Sequence, residues 1–153
     1  MIEYPFVGLA GNIGVGKTTF TEKMAKNLNW TPIYESVSDN PYLNDFYLDM
    51  NRWSFNLQIY FLQRRFQAQK DIIYSNGGVI QDRTIYEDSK IFAKNLYEMG
   101  HLKERDYNTY NDLFITMTSY LKKPDLIIYL KASTDTLLTR IHSRGREYEN
   151  KIS

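Results

Sequence analysis

The stretch Gly11-Asn12-Ile13-Gly14-Val15-Gly16-Lys17-Thr18, followed by Thr19, constrains this chain more than any other. It has the spacing G-x-x-x-x-G-K-[ST] of a phosphate-binding loop. An apolar run over residues 6–10 reads as a buried strand leading in, and a helical pattern over residues 17–28 leads out. Each part has a physical task. Glycines let the backbone curl until several N–H groups point at one phosphate. The helix N-terminus adds partial positive charge. Lys17 can reach the β- and γ-phosphates, and the Thr18 hydroxyl can ligate magnesium. The plain alternative is a Gly-rich turn, but such a turn needs neither three glycines nor a Lys-Thr pair at a helix start. The stretch therefore reads as a nucleotide phosphate site.

Composition bounds the rest. A chain of 153 residues is expected to form one domain, 1–153, with a real core. Its 42% hydrophobic and 24% charged residues are ordinary for a soluble globular protein. A formal net charge of +1 argues against a nucleic acid polymer or an anionic membrane as partner. Without cysteine there is no disulfide framework, thiolate chemistry or Cys-based zinc site, which fits a cytoplasmic location. The first residues, with Glu3 and Pro5, lack the basic and apolar regions of a secretory signal, and no run approaches a transmembrane span.

Along the chain, a short strand is expected over 31–34, ending at Glu35, with Pro32 marking an edge. A short helix covers 42–50. A long helix covers 52–74, with Phe55, Ile59, Leu62, Phe66 and Ile73 on one face. Residues 79–82 read as a buried strand ending on Asp82. Helices follow over 85–99, stopped by Gly100, and over 104–121, with Tyr110, Leu113, Met117 and Leu121 as the apolar stripe. The apolar centre of 125–131 predicts a strand covered on both faces. Ser133 or Thr134 caps a last helix carrying Leu137, Leu138 and Ile141. This alternation predicts an α/β fold, a parallel sheet with helices on both faces. Ligands in such folds sit at the carboxyl ends of the strands. That rim would hold the glycine loop, Glu35, Asp82-Arg83 and the segment after Lys131.

Asp82 stands where an acid binds magnesium directly or through water. Glu35 and Arg83 suit phosphorylation of a hydroxyl: the carboxylate accepts the alcohol proton while the guanidinium orients it and offsets negative charge. The alternative is a structural ion pair. Arg140, Arg144 and Arg146, around Gly145, read as a lid over a transferring phosphoryl group or as a solvated basic helix end. His101 and His142 have no metal-ligand partner at useful spacing and read as surface residues. Trp53 and the tyrosines of 42–60 are either core or the wall of a flat pocket.

Taken together, 11–19, Tyr34-Glu35-Ser36-Val37 with Asp39-Asn40-Pro41-Tyr42, Arg52-Trp53-Ser54-Phe55 with Gln58, Asp82-Arg83-Thr84-Ile85-Tyr86-Glu87-Asp88, and 140–149 span nearly the whole chain. In these motifs the chain resembles the deoxyribonucleoside kinases of the P-loop kinases, in the flavour of the bacterial deoxyadenosine/deoxyguanosine branch. The resemblance implies a P-loop NTPase three-layer fold with strand order 2-3-1-4-5. It implies ATP-dependent phosphorylation of the 5′-hydroxyl of a 2′-deoxynucleoside, deoxyadenosine favoured and deoxyguanosine or deoxycytidine possible. It further implies Mg2+ as cofactor, a homodimer and feedback inhibition by a deoxynucleoside triphosphate.

Residue roles follow from the same likeness. Glu35 would be the general base, and Arg83 would hold it and the hydroxyl. Tyr47 and Glu149 would bind the sugar 3′-hydroxyl. Gln58, Arg65 and Asp88 would read the base, with Trp53, Leu57 and Phe92 lining it. Lys17, Thr18, Arg140, Arg144 and Arg146 would handle phosphates and magnesium. Arg65 with Asp88 goes with purine or cytosine and disfavours thymine, because a buried amide and charged pair reject a base that leaves them unpaired. Family members continue past the lid, about 140–149, whereas this chain stops at Ser153. The expectation is therefore a truncated C-terminus and a missing last strand beside 125–131. Three rival readings are a nucleoside-monophosphate kinase, a GTP-dependent switch, against which the absence of Asn-Lys-x-Asp counts, and a nucleotide-binding module without catalysis.

Overall fold

The computed structural model describes residues 4–34 and 40–145. Its strands are β1 (Phe6–Gly11), β2 (Thr31–Ile33), β3 (Val79–Asp82) and β4 (Leu126–Leu130). Its helices are α1 (Lys17–Leu28), α2 (Leu43–Leu48), α3 (Met50–Gln69), α4 (Ile85–Glu87), α5 (Lys94–Glu98), α6 (Glu104–Thr118) and α7 (Thr134–Arg144). A 3-10 turn, Lys70–Tyr74, extends α3, and a π-helical segment, Asp88–Ala93, joins α4 to α5. The chain divides into two compact units. The first holds the four strands with α1 and α7, the second the remaining helices.

In the first unit the strands are all parallel in the order β2-β3-β1-β4, as expected for the strands present. Pro32 lies in the edge strand β2, where its missing N–H costs no ladder bond. Leu9 pairs with both Asp82 and Ile128, so β3 ends on its acid just before β1 turns into the glycine loop. Helix α1 runs over the expected residues and ends at Asn29, which takes a left-handed φ of 54°. Its Ala25, with Phe20 and Met24, packs on Val7, Leu9, Ile80, Trp30 and Ile128.

The Trp30 ring covers Gly78 so closely that a Cβ there would sit 2.4 Å from it. Gly78→Ala is therefore expected to lower stability by about 1–3 kcal/mol, as overpacking does. An unchanged urea midpoint would count against that contact.

Strand β4 departs from expectation. Leu126, Ile127 and Tyr129 are 54%, 46% and 60% exposed, so among the described residues this strand is not covered on both faces. The reason is that, among the described residues, it lies at the sheet edge and pairs with β1 alone. Asp125 pins its start: its Oδ2 accepts from the Phe6 N–H at 2.7 Å, and its own N–H donates to the Phe6 carbonyl at 2.8 Å.

The second unit has its own core of Leu62, Ile85, Ala93, Tyr110, Phe114 and Leu121, flanked by Phe55, Ile59, Phe66, Tyr86, Tyr107 and Met117. Two details differ from the apolar pattern. Ile73 is exposed and Ile72 buried, because the helix tightens to three residues per turn at Lys70 and changes phase. On α6, Leu113 is partly exposed and Phe114, one turn beyond Tyr110, carries the inward stripe. The helix expected over 85–99 forms, but with the π-helical insertion. Among the described residues no helix is long and apolar enough to cross a membrane.

Candidate active site

The first unit builds a phosphate cradle. Gly11 has φ 143°, and a Cβ there would lie 2.5 Å from the Leu130 carbonyl oxygen of β4. Gly16 caps α1 at φ 102°, which aims the first N–H groups of α1 into the loop. Asn12, Ile13 and Val15 complete the curve between β1 and α1, and Thr19 sits exposed in the first turn.

Lys17 is only 7% exposed. Its ammonium donates to the carbonyls of Gly11 at 2.9 Å and Asn12 at 3.0 Å, so the loop backbone itself compensates a buried cation. The Thr18 hydroxyl donates to Asp82 Oδ2 at 2.6 Å. Asp82 is 1% exposed, and its Oδ1 has no hydrogen-bond partner. A buried carboxylate oxygen with free lone pairs beside a hydroxyl suits magnesium, which takes one or two protein oxygens and completes its shell with phosphate and water. Among the described residues no three His, Cys, Asp or Glu side chains form a protein-only metal site.

Arg83 follows Asp82 with φ 62°, a left-handed conformation costing a non-glycine residue about 1–3 kcal/mol. The bond from its N–H to the Leu9 carbonyl, 3.0 Å, helps hold it there. Ser133 caps α7, whose Arg140 donates from Nη1 to the Val15 carbonyl at 2.9 Å. Arg144 lies one turn further on, exposed. The structure thus brings Lys17, Thr18, Asp82 and Arg140 to one loop. Glu35, Arg146 and Glu149 lie outside the described residues.

The second unit carries the polar residues proposed for base reading. Gln58 and Arg65 are both buried on α3, about two helical turns apart on one face. Arg65 Nε meets Asp88 Oδ2 at 2.7 Å, with side chains 6% and 4% exposed. Gln58 Oε1 has no partner. Asp88 opens the π-helical segment, which also carries the partly exposed Phe92. Such segments are rare and concentrate at functional sites. Leu57 is buried. Trp53 is half-buried, with the Arg52 guanidinium 4.4 Å from its ring centre and Tyr42 at 6.0 Å. Tyr47 packs edge-on against Phe46 at 5.3 Å.

A family model for deoxynucleoside kinases matches residues 7–153. The chain belongs to the deoxynucleoside kinase family. It is similar to the deoxyadenosine/deoxycytidine kinase of Bacillus subtilis (strain 168), 48% identical over 149 residues that make up 96% of this chain and 69% of that one. It is 47% identical over 152 residues to the deoxyadenosine kinase of Dictyostelium discoideum, covering 99% of this chain and 62% of the relative. The chain thus spans about two thirds of the length of these kinases. Its fold matches the deoxyadenosine kinase of M. mycoides, solved with the products dCMP and a flexible dCDP, at a TM-score of 0.85 and 35% identity. That match covers 97% of this chain and 75% of the other. The four-stranded parallel sheet is therefore that of a P-loop kinase.

Within this deoxynucleoside kinase fold, three features escaped the sequence reading. The Arg140 contact falls on a backbone carbonyl, which no side-chain pattern marks. Thr84 and Glu87 form a capping box: the Thr84 N–H and hydroxyl both donate to Glu87 Oε2 at 2.6 Å. Burial pushes the Glu87 carboxyl above its usual range. The T-x-x-E spacing was the available signal. The third is Tyr110, expected only as part of an apolar stripe, whose side chain is wholly buried and whose hydroxyl is pushed above its ordinary pKa chiefly by that burial.

Proposed function

We propose that this chain transfers the γ-phosphoryl group of ATP to the 5′-hydroxyl of a 2′-deoxynucleoside, yielding the monophosphate for nucleotide salvage. The observation that carries the reading is the buried Lys17 cradle in a chain of this family. Deoxyadenosine is the favoured acceptor, with deoxyguanosine and deoxycytidine possible. The Arg65–Asp88 pair supports this, since a base that cannot meet it leaves buried polar groups unpaired. The names of the Bacillus and Dictyostelium relatives point the same way.

In this reading Lys17 and the loop N–H groups hold the donor phosphates and offset charge that grows during transfer. Arg140, Arg144 and Arg146 help to offset that charge from the lid. Glu35 takes the proton of the 5′-hydroxyl, and Arg83 orients the pair. Tyr47 and Glu149 bind the sugar, and Trp53, Leu57, Gln58 and Phe92 join Arg65 and Asp88 around the base. Thr18 and Asp82 are the residues that would hold Mg2+, which when bound neutralises the phosphate oxygens.

The test is an assay with γ-labelled ATP over the four deoxynucleosides and deoxyadenosine monophosphate. Label is expected on deoxyadenosine well above thymidine. Label on the monophosphate alone would make the chain a nucleoside-monophosphate kinase. Nucleotide binding without any transfer would make it a binding module. The family likeness also supports a homodimer, to be read by light scattering, and inhibition by a deoxynucleoside triphosphate, to be read by adding dATP to the assay. The absence of cysteine supports a cytoplasmic setting, to be checked by fractionating cells.

A further inference from the structure

The glycine loop is held at two places. Its first half hangs on Lys17, whose ammonium donates to the Gly11 and Asn12 carbonyls. Its second half meets α7. A Cβ built on Gly14 would lie 3.1 Å from Ile141 Cγ1, 3.2 Å from the Leu137 carbonyl oxygen and 3.7 Å from Ile141 Cδ1, so the helix rests on bare loop backbone. Leu137 and Ile141 are both buried and stand one turn apart on one face of α7. Arg140, between them in the chain, bonds the Val15 carbonyl at 2.9 Å. The two grips differ in what ATP does to them. A phosphate draws the Lys17 ammonium away from the carbonyls it holds. An apolar contact with Ile141 has nothing to exchange with a phosphate and stays. Such a contact matters because glycine has the most backbone freedom to lose, and Gly14 must hold a φ of 78°. A loop ordered before its ligand arrives does not charge that ordering to the binding step.

We propose that Ile141 is a positioning residue for the donor phosphates, bracing residues 14–16 of the loop in their phosphate-binding form before ATP arrives. Ile141 touches no phosphate itself and acts through the loop backbone. Its effect belongs in affinity for ATP. It does not belong in affinity for the deoxynucleoside, whose assigned base-reading residues stand on α3 and the π-helical segment. Nor does it belong in the transfer step, because bound phosphates order the same cradle whether or not it was braced beforehand.

This role rests on the reading of the loop as an ATP phosphate site, and calorimetric titration with ATP beside steady-state kinetics separates the two. In Ile141→Ala the Kd and KM for ATP are expected to rise about tenfold, as for a loop whose binding form is populated only about one tenth of the time. Ile141→Val keeps a methyl at the Cγ1 position that meets Gly14 and should return both to within about twofold of wild type. The kcat at saturating ATP and the KM for deoxyadenosine should stay within about twofold in both variants. Ile141→Ala also lowers Tm, as a core cavity does. Gly78→Ala is the control, since it lowers Tm through Trp30 at the start of β3, at the opposite end of the strands from the loop. It should leave ATP affinity unmoved. Should Ile141→Ala fail to fold, backbone NMR relaxation of the unliganded wild type decides. Residues 14–16 should show order parameters near about 0.85, as rigid backbone does, and values below about 0.6 overturn the proposal. An ATP affinity unmoved by Ile141→Ala also overturns it, as does equal weakening in Gly78→Ala or a parallel rise in the KM for deoxyadenosine. If wild type binds no ATP, the phosphate-site reading fails and takes this role with it. If wild type binds ATP and Ile141→Ala binds it equally well, only this role fails. Because binding is read without turnover, a wild type that transfers no phosphoryl group still tests the brace.

Discussion

Replacing Lys17 with methionine is expected to lower phosphoryl-transfer turnover by roughly 10²–10³-fold, the range seen when a preorganised transition-state donor is removed. Methionine keeps an apolar stem of similar length, so most packing of this buried side chain survives. What is lost is the charge. In the unliganded protein that charge rests on the Gly11 and Asn12 carbonyls at 2.9 and 3.0 Å, already inside the loop and already stripped of most of its water. A cation in that state needs little reorganisation to meet a phosphate, which is why it acts strongly in a dry site. The variant should retain deoxynucleoside affinity measured by calorimetry, because the residues assigned to the base stand on α3 and the π-helical segment. A turnover within tenfold of wild type would remove Lys17 from the chemistry.

Arg65→Met is expected to cost about 3–5 kcal/mol of stability, since it leaves Asp88 as a buried charge without its partner. The compensating change separates stability from recognition. Adding Asp88→Leu to Arg65→Met replaces the pair by apolar side chains and should recover most of the lost stability. It should recover little of the preference among bases, because of the polar groups assigned to the base only Gln58 then remains to reject the wrong one. Urea midpoints report the first effect and the ratio of kcat/KM for deoxyadenosine over thymidine the second. If Arg65→Met leaves the midpoint unchanged, the pair is hydrated and contributes little to either.

Local signals carried far in this chain. The glycine loop, the span of α1, β3 ending on Asp82 and the left-handed break at Asn29 all lie where short-range chemistry places them. Each depends on residues within a turn or two: glycines that tolerate positive φ, an apolar run, a cap. The resemblance carried by those motifs also named the family to which the chain belongs. Helix phase was less legible. A 3-10 turn at Lys70 exchanges Ile73 for Ile72, and the π-helical segment at Asp88 interrupts a pattern that reads as one plain helix. Hydrogen-bond register along a helix shifts by one residue at small cost, and the composition of the segment does not record the shift.

What the amino-acid order determined by itself was the inventory: a phosphate loop, an acid at a strand end, a buried-type Gln, Arg and Asp, and a basic last helix. What only the tertiary structure decided was how these meet. Thr18 bonds Asp82 from 64 residues away, Arg65 reaches Asp88 across 23, and Arg140 returns to the Val15 carbonyl across 125. It also decided that β4, apolar enough for a covered strand, lies at the sheet edge with three side chains exposed among the described residues. Sequence patterns report each residue's preference for burial or turn. Pairing between distant residues depends on strand register and helix packing, which emerge only when the whole chain closes on itself.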